Sequence, residues 1–383
     1  MAENFIVFGK PEYSNQEVLD VVDSMQNGWI GTGTKVGKFE KSFAAYIGVD
    51  DCVAVNSCTA ALHLSLLEAG ITYGDEVITT AMTFCSTVNS IIHVGATPIL
   101  ADICSENWNI TVENIEAKIT ERTKAILIVH FAGRPCDMPK IRSVADRYNL
   151  ILIEDCAHAI ETQISESHVG TFGDFAAFSF YSTKNISSGE GGMVIAKGGQ
   201  RVLDNIRRRA LHGMDKDAFK RFSADGNAEY DVTSIGFKYN MMDIQAAIAI
   251  HQLKNITEWH IRREKIWKYY MDELCNLPLL LPSNVKQDEI HAFHLFQIMV
   301  SIDGEPGIVR SQFRKKLHER GIGTGIHYKS IASFSIYQEL FNWKDTNWPN
   351  SKFFGDRTIS IPLSPHLTDS EIERVATAVK EAL

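Results

Sequence analysis

The chain has few cysteines and no pattern that would pair them. Seven Cys occur among 383 residues, their number is odd, their positions are scattered and no Cys-x-x-Cys occurs. A disulfide framework and a zinc ribbon are therefore disfavoured, and a reducing cytoplasm is expected. The first 14 residues show no apolar run behind a basic start, so no signal peptide is expected. No apolar run approaches the ~20 residues of a membrane span, so no membrane partner is expected.

Basic charge is also scarce. The 38 Lys and Arg are outnumbered by 47 Asp and Glu, which gives a formal net charge of −9. This balance argues against a nucleic-acid partner, because such proteins usually carry a basic face. Ten Pro and 26 Gly are too few for a collagen-like or Pro-rich architecture. Apolar residues make up 45% and charged residues 22%, which is typical of a folded globular protein.

The first two thirds of the chain alternate short apolar runs with longer helical patterns. Strands are predicted at 52–56, 76–79, 98–102, 124–130 and 150–154, with helices between them. This alternation predicts an α/β domain with a mostly parallel sheet and helices on both faces. Two further strands are predicted at 174–180 and 192–196, on either side of a loop rich in Ser and Gly.

The last third of the chain predicts a smaller second domain. A long helix is predicted over 242–274, followed by a strand at 292–302 and helices at 309–320 and 368–383. We place the domain boundary inside the long helix. This gives a large α/β domain over 1–254 and a small α+β domain over 255–383.

One lysine, Lys184, lies in the Ser/Gly-rich loop. It belongs to Ser-Phe-Tyr-Ser-Thr-Lys-Asn at 179–185, and Ser-Ser-Gly-Glu-Gly-Gly follows at 187–192. A lone loop lysine is most often an exposed surface residue. The alternative is a lysine that forms an imine with an aldehyde, which requires a neutral amine. An ordinary lysine pKa of ~10.4 leaves roughly one amine in a thousand neutral at pH 7, and burial raises that fraction.

Two other segments suggest an acid and an anion site. Asp155 follows the apolar strand predicted at 150–154 and so lies at its carboxyl end, where ligands bind in open α/β sheets. It is either a helix cap or a carboxylate that pairs with a cofactor's ring nitrogen. The segment Val-Asn-Ser-Cys-Thr-Ala at 55–60 ends a strand and begins a helix. It is either a plain cap or a phosphate site made of backbone N–H groups.

These segments together favour one cofactor. Gly-x-x-x-x-Gly-Lys-Ser/Thr and Gly-x-Gly-x-x-Gly are both absent, so ATP and NAD are disfavoured as the source of the phosphate. Pyridoxal 5′-phosphate (PLP) requires an imine anchor, a partner for its pyridinium nitrogen and an anion site. A lysine, an aspartate after a strand and a helix start together match those requirements. No metal is expected.

The chain resembles the DegT/StrS-type nucleotide-sugar aminotransferases over nearly its whole length. The motifs that carry the resemblance are Gly-Trp-Ile-Gly-Thr-Gly at 28–33, Glu-Asp-Cys-Ala-His-Ala at 154–159, Gly-Phe-Lys-Tyr-Asn at 236–240 and Gly-Ile-Gly-Thr-Gly-Ile-His at 321–327. Within the family it looks most similar to the UDP-ketopentose aminotransferases that form UDP-4-amino-4-deoxy-L-arabinose. The resemblance implies the type I PLP-dependent aminotransferase fold, with PLP as cofactor.

The resemblance also implies roles for individual residues. Lys184 would form the imine and move protons, Asp155 would pair with the pyridine nitrogen, and His158 would contact the cofactor as a catalytic residue. The other cofactor contacts would be the backbone N–H of Cys58, then Thr59, a stacked Phe84, Ser179 and Asn240. The substrate pocket would include Trp29, Lys35, His327 and Tyr328. Read alone, a single Phe or His at such a position would be assigned to core packing.

The resemblance further implies an assembly and a reaction. The family donates the residue at the position of Asn240 across a dimer interface, to the cofactor phosphate of the neighbouring subunit. A homodimer with shared active sites is therefore expected, acting on glutamate and a nucleotide-linked keto sugar, with amination at position 4. Two other functions stay open. One is a sugar dehydratase of the same fold that uses pyridoxamine phosphate, although such enzymes have His in place of Lys184. The other is a cofactor-binding regulator without turnover.

Overall fold

A computed structural model of the chain describes residues 5–214, 230–300 and 306–383. Its main sheet is formed by β1 Val53–Val55, β2 Glu76–Thr80, β3 Thr97–Ala101, β4 Thr123–Val129, β5 Ile151–Asp155, β8 Phe175–Ser179 and β9 Gly192–Ala196. Two small three-stranded sheets use the remaining strands, β6 Gln163–Ile164, β7 Ser167–His168, β10 Leu279–Leu280, β11 Glu289–Ile290, β12 Phe296–Val300 and β13 Thr358–Ile361.

Helices cover both faces of the main sheet and form most of the C-terminal region. They are α1 Asn15–Gln26, α2 Thr34–Ile47, α3 Cys58–Glu68, α4 Cys85–His93, α5 Val112–Glu116, α6 Met138–Arg147, α7 Gln200–Ala210, α8 Asp243–Lys254, α9 Ile256–Leu274, α10 Pro306–Glu319, α11 Ser335–Phe341, α12 Pro349–Arg357 and α13 Asp369–Ala382. Short 3₁₀ turns lie at Phe131–Gly133, Ile331–Ser333 and Asp345–Asn347. No helix among the described residues has the length and apolarity to cross a bilayer.

The main sheet has the strand order β1-β9-β8-β5-β4-β2-β3. The run from β3 to β8 is parallel throughout, and β9 is antiparallel to both of its neighbours. The predicted mostly parallel sheet is therefore confirmed. The central strands are buried on both faces, which explains their continuous Ile, Leu and Val runs. Parallel strands bring their carboxyl ends to one edge of the sheet, and that edge carries the residues discussed below.

The single long helix predicted over 242–274 is wrong. The structure has two helices, α8 and α9, which meet at Asn255. The Asn255 N–H bonds to carbonyls of the last turn of α8 instead of continuing the helix. Asn favours such caps because its short polar side chain competes with helical hydrogen bonding. The strand predicted at 292–302 is shorter, at Phe296–Val300, and its last two positions fall outside the described residues.

The three largest apolar clusters among the described residues are two that flank the main sheet and a third in the C-terminal region. The third core includes Ile266, Tyr270 and Phe296, and it also includes Ile6 from the start of the chain. Ile6 exchanges backbone hydrogen bonds of 2.8 Å with Gly321 and Gly323. The first residues therefore pack with the C-terminal region, although the sequence division assigned them to the large domain. The boundary near residue 254 stays a proposal.

Glu154, beside Asp155 on β5, holds a buried polar network. Its carboxylate is fully buried and accepts hydrogen bonds from the backbone N–H groups of 170, 172 and 173. The His130 imidazole accepts a hydrogen bond from Cys136 N–H at Nδ1 (3.1 Å), so its Nε2–H donates to Glu154 (3.0 Å). The Cys156 thiol lies near His130 and Glu154. The ring nitrogens of His130 and the carboxylate of Glu154 already form hydrogen bonds within the protein, so we do not assign a metal to this group. The network fixes the loop beside β5.

We expect Glu154→Ala to destabilise the fold strongly. It leaves three backbone N–H groups and an imidazole N–H without their acceptor, and each buried unsatisfied donor costs ~1–3 kcal/mol. The free energy of unfolding, measured by urea denaturation with circular dichroism, should fall by ~3–5 kcal/mol. The exposed Glu121→Ala serves as the control. A loss below ~1 kcal/mol in Glu154→Ala would show that the network does not hold this region.

Candidate active site

A cavity of about 460 Å³ opens at the carboxyl ends of the central strands. Nine of the residues singled out from the sequence line it: Cys58, Thr59, Phe84, Asp155, His158, Ser179, Lys184, His327 and Tyr328. They come from positions 58 to 328, so the fold brings together segments that are far apart in the chain. Three others, Trp29, Lys35 and Asn240, are not among the residues that line this cavity.

Asp155 lies at the base of the cavity, at the end of β5, and is 3% exposed. Its carboxylate accepts a hydrogen bond from the Ala157 N–H (3.1 Å) and another from the Thr87 hydroxyl (2.9 Å). Burial raises the pKa of this carboxyl, whereas the hydrogen bonds and the nearby Lys184 and His130 oppose the rise. A buried carboxylate of this kind is stabilised by a cation. A protonated ring nitrogen in the cavity would supply one.

Lys184 is half-buried in the wall of the cavity, on the loop after β8. Burial lowers the pKa of its amine to about 8, while the Asp155 carboxyl and the Cys58 thiol act in the opposite direction. A pKa of about 8 leaves roughly one amine in ten neutral at pH 7, about a hundred times more than in an ordinary lysine. The expectation of an exposed surface lysine does not fit this position.

The loop that carries the lysine is anchored by the next residue, Asn185, which is 5% exposed. Its amide nitrogen donates to both oxygens of Glu161 (2.9 and 2.8 Å) and to the Ala292 carbonyl (2.8 Å). Its amide oxygen accepts a hydrogen bond from His294 Nδ1 (2.9 Å). Its backbone carbonyl accepts a hydrogen bond from the Arg263 guanidinium (3.1 Å). This set of residues, the Asn185 cluster, fixes the backbone behind the reactive amine.

The Asn185 cluster contains a buried pair of opposite charges. Arg263 Nη1 lies 3.7 Å from Glu161 Oε1, and both side chains are nearly inaccessible. Burial lowers the pKa of Arg263 to about 10 and raises the pKa of Glu161. Arg263 and His294 belong to the C-terminal third of the chain, so the cluster ties that region to the loop of Lys184.

The start of α3 forms a concave set of hydrogen-bond donors. Ser57 caps the helix, and its hydroxyl accepts a hydrogen bond (3.1 Å) from a backbone N–H of the first turn. The N–H groups of Cys58 and Thr59 bind no acceptor among the described residues. Ser179 ends β8 at the same cavity. Free N–H groups and the positive end of the helix dipole suit a phosphate.

Gly192 allows this helix start to lie against β9. A Cβ at this position would come within 2.5 Å of the Ser57 carbonyl oxygen, a contact that no side chain can tolerate. The glycine pair that follows the lysine loop is therefore needed for close packing beneath the donors. Burial raises the pKa of the Cys58 thiol well above its ordinary value, so the thiol is not a nucleophile at neutral pH.

Phe84 presents an aromatic face to the cavity. It precedes α4 and is 55% exposed, so it is not a core residue. Its ring centroid lies 5.7 Å from that of Tyr328. A large apolar face left open inside a cavity is suited to stacking against a flat ring.

Three neutral imidazoles surround the lysine. Burial and the nearby Lys184 lower the pKa values of His158 and His294 well below the ordinary histidine value, and they lower the pKa of His327 to about 3. His327 Nδ1 is hydrogen bonded to the Ser360 hydroxyl (2.9 Å). The imidazoles therefore carry no charge at pH 7, and Asp155 is the carboxylate that acts on the Lys184 amine.

The remaining predicted residues lie elsewhere in the chain. The half-exposed Trp29 donates its indole N–H to the Thr32 carbonyl (3.1 Å). Lys35 pairs with two carboxylates of α1, at 2.7 and 2.9 Å, and its role as a substrate contact stays a prediction. Asn240 donates to the Thr32 hydroxyl (2.6 Å), and its own amide oxygen is buried without a partner among the described residues.

The sequence analysis missed the residues that support the site. Thr87, one helical turn after Thr83, holds Asp155, and the two hydroxyls are 2.7 Å apart. The spacing of Thr83 and Thr87, four residues apart, was the sequence signal that could have indicated a pair of neighbouring hydroxyls. Glu161 and Arg263 gave no sequence signal, because only the tertiary fold brings them to Asn185.

The residues of this cavity fit PLP. The cavity is lined by Lys184 with its lowered pKa, the buried carboxylate of Asp155, unpaired N–H donors at the start of α3 and the exposed ring of Phe84. These features correspond to the aldehyde, the ring nitrogen, the phosphate and the ring face of that cofactor. A cavity of about 460 Å³ has room for a small cofactor with part of a substrate.

Comparison with known proteins supports the same conclusion. Residues 11–380 match the DegT/DnrJ/EryC1/StrS aminotransferase family. The spore coat polysaccharide biosynthesis protein SpsC of Bacillus subtilis is 42% identical over 379 residues, which cover 99% of this chain and 97% of SpsC.

Solved structures of sugar aminotransferases share the fold. Spr1654 of Streptococcus pneumoniae, named as a sugar aminotransferase and solved in its PMP form, superposes with a TM-score of 0.91 at 30% identity, covering 99% of this chain and 100% of that one. PseC of Helicobacter pylori, an aminotransferase involved in pseudaminic acid biosynthesis, gives a TM-score of 0.90 at 26% identity, covering 99% of each chain.

These findings confirm the predicted family, fold class, enzyme class and cofactor. The match to the family extends over nearly the whole chain, and the superposed structures include PLP and PMP forms. The chain thus belongs to the DegT/DnrJ/EryC1/StrS aminotransferase family and is a PLP-dependent sugar aminotransferase.

Proposed function

We propose that this aminotransferase moves an amino group from glutamate to a nucleotide-linked 4-keto sugar. The observation that carries the proposal is the convergence of Lys184, Asp155 and the start of α3 on one cavity. The motifs at 28–33 and 321–327 make a UDP-ketopentose our first candidate for the acceptor. We propose that the protein works in the reducing cytoplasm, because its seven cysteines are scattered and odd in number.

When bound, PLP supplies an electron sink for the carbon that gains or loses a proton. Asp155 would hold the ring nitrogen in its protonated form, through a carboxylate fixed by two hydrogen bonds. Lys184 Nζ would first hold the cofactor and then, once released, carry the proton to and from the reacting carbon. Its lowered pKa lets the same amine act as nucleophile and as base.

The other residues of the cavity would orient the ligands. The N–H groups of Cys58 and Thr59, with the Ser179 hydroxyl, would bind the cofactor phosphate, and Phe84 would cover one face of the ring. His327 and Tyr328 line the side of the cavity beyond the lysine, where we place the sugar. Trp29 would reach this pocket only as part of an assembly.

We infer a homodimer as the active assembly. One face of α1 carries exposed apolar residues, Val18, Leu19, Val22 and Met25, although soluble monomers rarely leave such a stripe uncovered. The exposed Trp29 and Ile30 extend the surface. Asn240 donates to the Thr32 hydroxyl, two residues after Ile30, and we propose from the family resemblance that it contacts the cofactor phosphate of the neighbouring subunit.

Two alternatives predict different observations. A dehydratase of the same fold would have His in place of Lys184, so the lysine disfavours it. A cofactor-binding regulator without turnover could hold PLP with the same Lys184 and the same Phe84 face, so the response to glutamate separates it from an enzyme. Glutamate should convert the PLP enzyme to its pyridoxamine form, and a spectrum unchanged by glutamate would favour the regulator.

The function is tested with a panel of nucleotide-linked keto sugars and glutamate, with products identified by mass spectrometry and NMR. We expect a 4-amino sugar from the parent and a loss of roughly 10³-fold or more in Lys184→Ala, because that variant lacks both the nucleophile and the base. The exposed Lys254→Ala is the matched control. Amination at another position would refute the proposed substrate, and full turnover by Lys184→Ala would refute the role of the lysine.

The pH dependence of cofactor binding follows from the pKa of Lys184. Only the neutral amine attacks the PLP aldehyde, and its pKa is lowered to about 8. The rate of imine formation between the apoenzyme and PLP, followed by stopped-flow absorbance, should rise with pH and level off above about 8. Below that midpoint the rate should fall about tenfold per pH unit. A midpoint near the ordinary lysine value would contradict the assigned environment.

The dimer is tested by a charge on the α1 stripe. Leu19→Asp, at a position that is 66% exposed, should leave the fold intact and shift the mass measured by light scattering toward a monomer. Activity should fall with it, because the shared site is incomplete. Ile261→Asp, on an exposed part of α9, is the control. A Leu19→Asp protein that stays dimeric and active would place the interface elsewhere.

A further inference from the structure

We propose that the cleft between α9 and the segment at 284–293 is a second binding site, and that it takes a sugar carrying a protonated amino group. This α9 cleft has a volume of about 640 Å³, which is enough for a sugar ring. It shares no lining residue with the cavity of Lys184. The inference rests on the sugar aminotransferase class, whose product is an amino sugar, and not on the proposed glutamate or 4-keto sugar.

One wall of the α9 cleft is aromatic. The ring centroid of Phe293 lies 5.5 Å from that of Trp267, 5.0 Å from that of His291 and 5.4 Å from that of His260. All four residues line the cleft, and Trp267, His291 and Phe293 are 4%, 3% and 4% exposed. Their packing makes the wall a fixed surface. The apolar face of a sugar ring can pack on such a surface, and an ammonium group is attracted to an aromatic face.

His291 supplies a hydrogen-bond donor to the cleft. The Phe293 backbone N–H donates to His291 Nδ1 (2.8 Å), so Nδ1 must offer a lone pair. Burial, with the nearby Arg134 and His260, lowers the pKa of this imidazole well below the ordinary histidine value. The ring is therefore neutral, with its one proton on Nε2. No residue in the described ranges accepts that proton, so it is available to a ligand.

Two further polar atoms of the wall have no partner among the described residues. They are the buried indole N–H of Trp267 and the buried Oε2 of Glu289. A buried Trp N–H usually has an acceptor, and an unpaired buried group is costly. Both residues line the cleft, so a group that enters it can complete these bonds directly or through a water. Sugar hydroxyls suit this wall, because each of them can both accept and donate.

The charge of the α9 cleft disfavours an anion. Its described lining residues include three carboxylates, Glu264, Asp272 and Glu289, and one lysine, Lys268. Lys268 pairs with Glu264 (2.8 Å), and Lys286 pairs with Glu289 Oε1 (3.0 Å). Neither ion pair uses Glu289 Oε2. An ammonium group suits that oxygen and the aromatic wall, whereas a phosphate would be repelled by the carboxylates.

The cleft lies directly behind the Asn185 cluster. His291 lines the cleft, whereas the carbonyl of the next residue, Ala292, and the Nδ1 atom of His294 bond to Asn185. Helix α9 also contributes to both, because its Arg263 donates to the Asn185 carbonyl. An amino sugar in the cleft would therefore contact the elements that hold the lysine loop.

The site is tested with glucosamine as the probe and glucose as its uncharged counterpart. Binding is followed by ligand-observed NMR on the PLP-loaded protein after borohydride reduction, so that the cofactor cannot form an imine with the probe. We expect saturable binding of glucosamine. Glucose should bind at least about tenfold more weakly, because it has no ammonium group for Glu289 and the aromatic wall.

Two variants test the residues that carry the proposal. Glu289→Gln keeps the size of the side chain but removes its charge, so it should weaken glucosamine binding about tenfold, to the level of glucose. His291→Asn keeps an acceptor for the Phe293 N–H but lacks the Nε2–H, so it should weaken the binding of both sugars. Glu258→Gln, on an exposed part of α9 outside the cleft, is the matched control and should bind as the parent does. Circular dichroism checks that each variant is folded.

Three results would overturn the proposal. The absence of saturable glucosamine binding, or equal binding of glucosamine and glucose, would show that the cleft does not recognise an amino sugar. Glucosamine binding that both variants leave unchanged would place the site elsewhere in the protein. The proposed function is measured separately, as the conversion of the unreduced enzyme by glutamate, which the cleft variants should retain. A parent that fails this conversion would refute the proposed function and leave the test of the cleft intact.

Discussion

The active site depends on how the backbone behind Lys184 is held. Asn185 uses its amide and its carbonyl to bond with Glu161, Ala292, His294 and Arg263, and the cluster is buried. Buried polar groups are costly unless they are paired, so such a set has few alternative arrangements. The cluster joins the loop after β8 to the C-terminal third of the chain. The position of the reactive amine therefore depends on contacts between distant segments.

A second constraint is electrostatic. The cavity holds one lysine and one buried aspartate, and the neighbouring imidazoles are neutral because burial opposes their protonation. The two charged groups on which the chemistry of this account depends are therefore the amine of Lys184 and the carboxylate of Asp155. This arrangement suits a flat cofactor that needs a nucleophilic amine at one end and a carboxylate beside its ring nitrogen. It also leaves the neutral imidazoles free to act through hydrogen bonds.

The sequence predicted the parts of the fold that local pattern determines. The runs ending at Asp155 and Ser179 are continuously apolar because they form strands buried on both faces. The prediction of one helix through Asn255 failed because a single Asn ends α8, and no Pro or Gly between 243 and 274 marks the break. The roles of the motif residues around Lys184 came from the resemblance. Their convergence could be expected because Asp155 and Lys184 both follow predicted strands of one mostly parallel sheet.

Other features of the site could not be read from the sequence. Lys35 is a substrate contact implied by the resemblance, and the sequence did not indicate that tertiary packing pairs it with carboxylates of α1. The tautomer of His158 depends on a backbone N–H from Ala132, 26 residues earlier. Neither contact has a periodic signature, because each depends on where two separate segments meet. Sequence therefore predicts which residues are reactive, and structure shows which of their atoms are free.

The most direct measurement is to reduce the PLP-loaded protein with borohydride, digest it and locate the pyridoxyl group by mass spectrometry. Reduction makes the link between a lysine and the cofactor permanent, so the modified residue can be read from the peptide. The account predicts a single pyridoxyl group, on the peptide that contains Lys184. A label on another lysine, or no label with PLP bound, would contradict it.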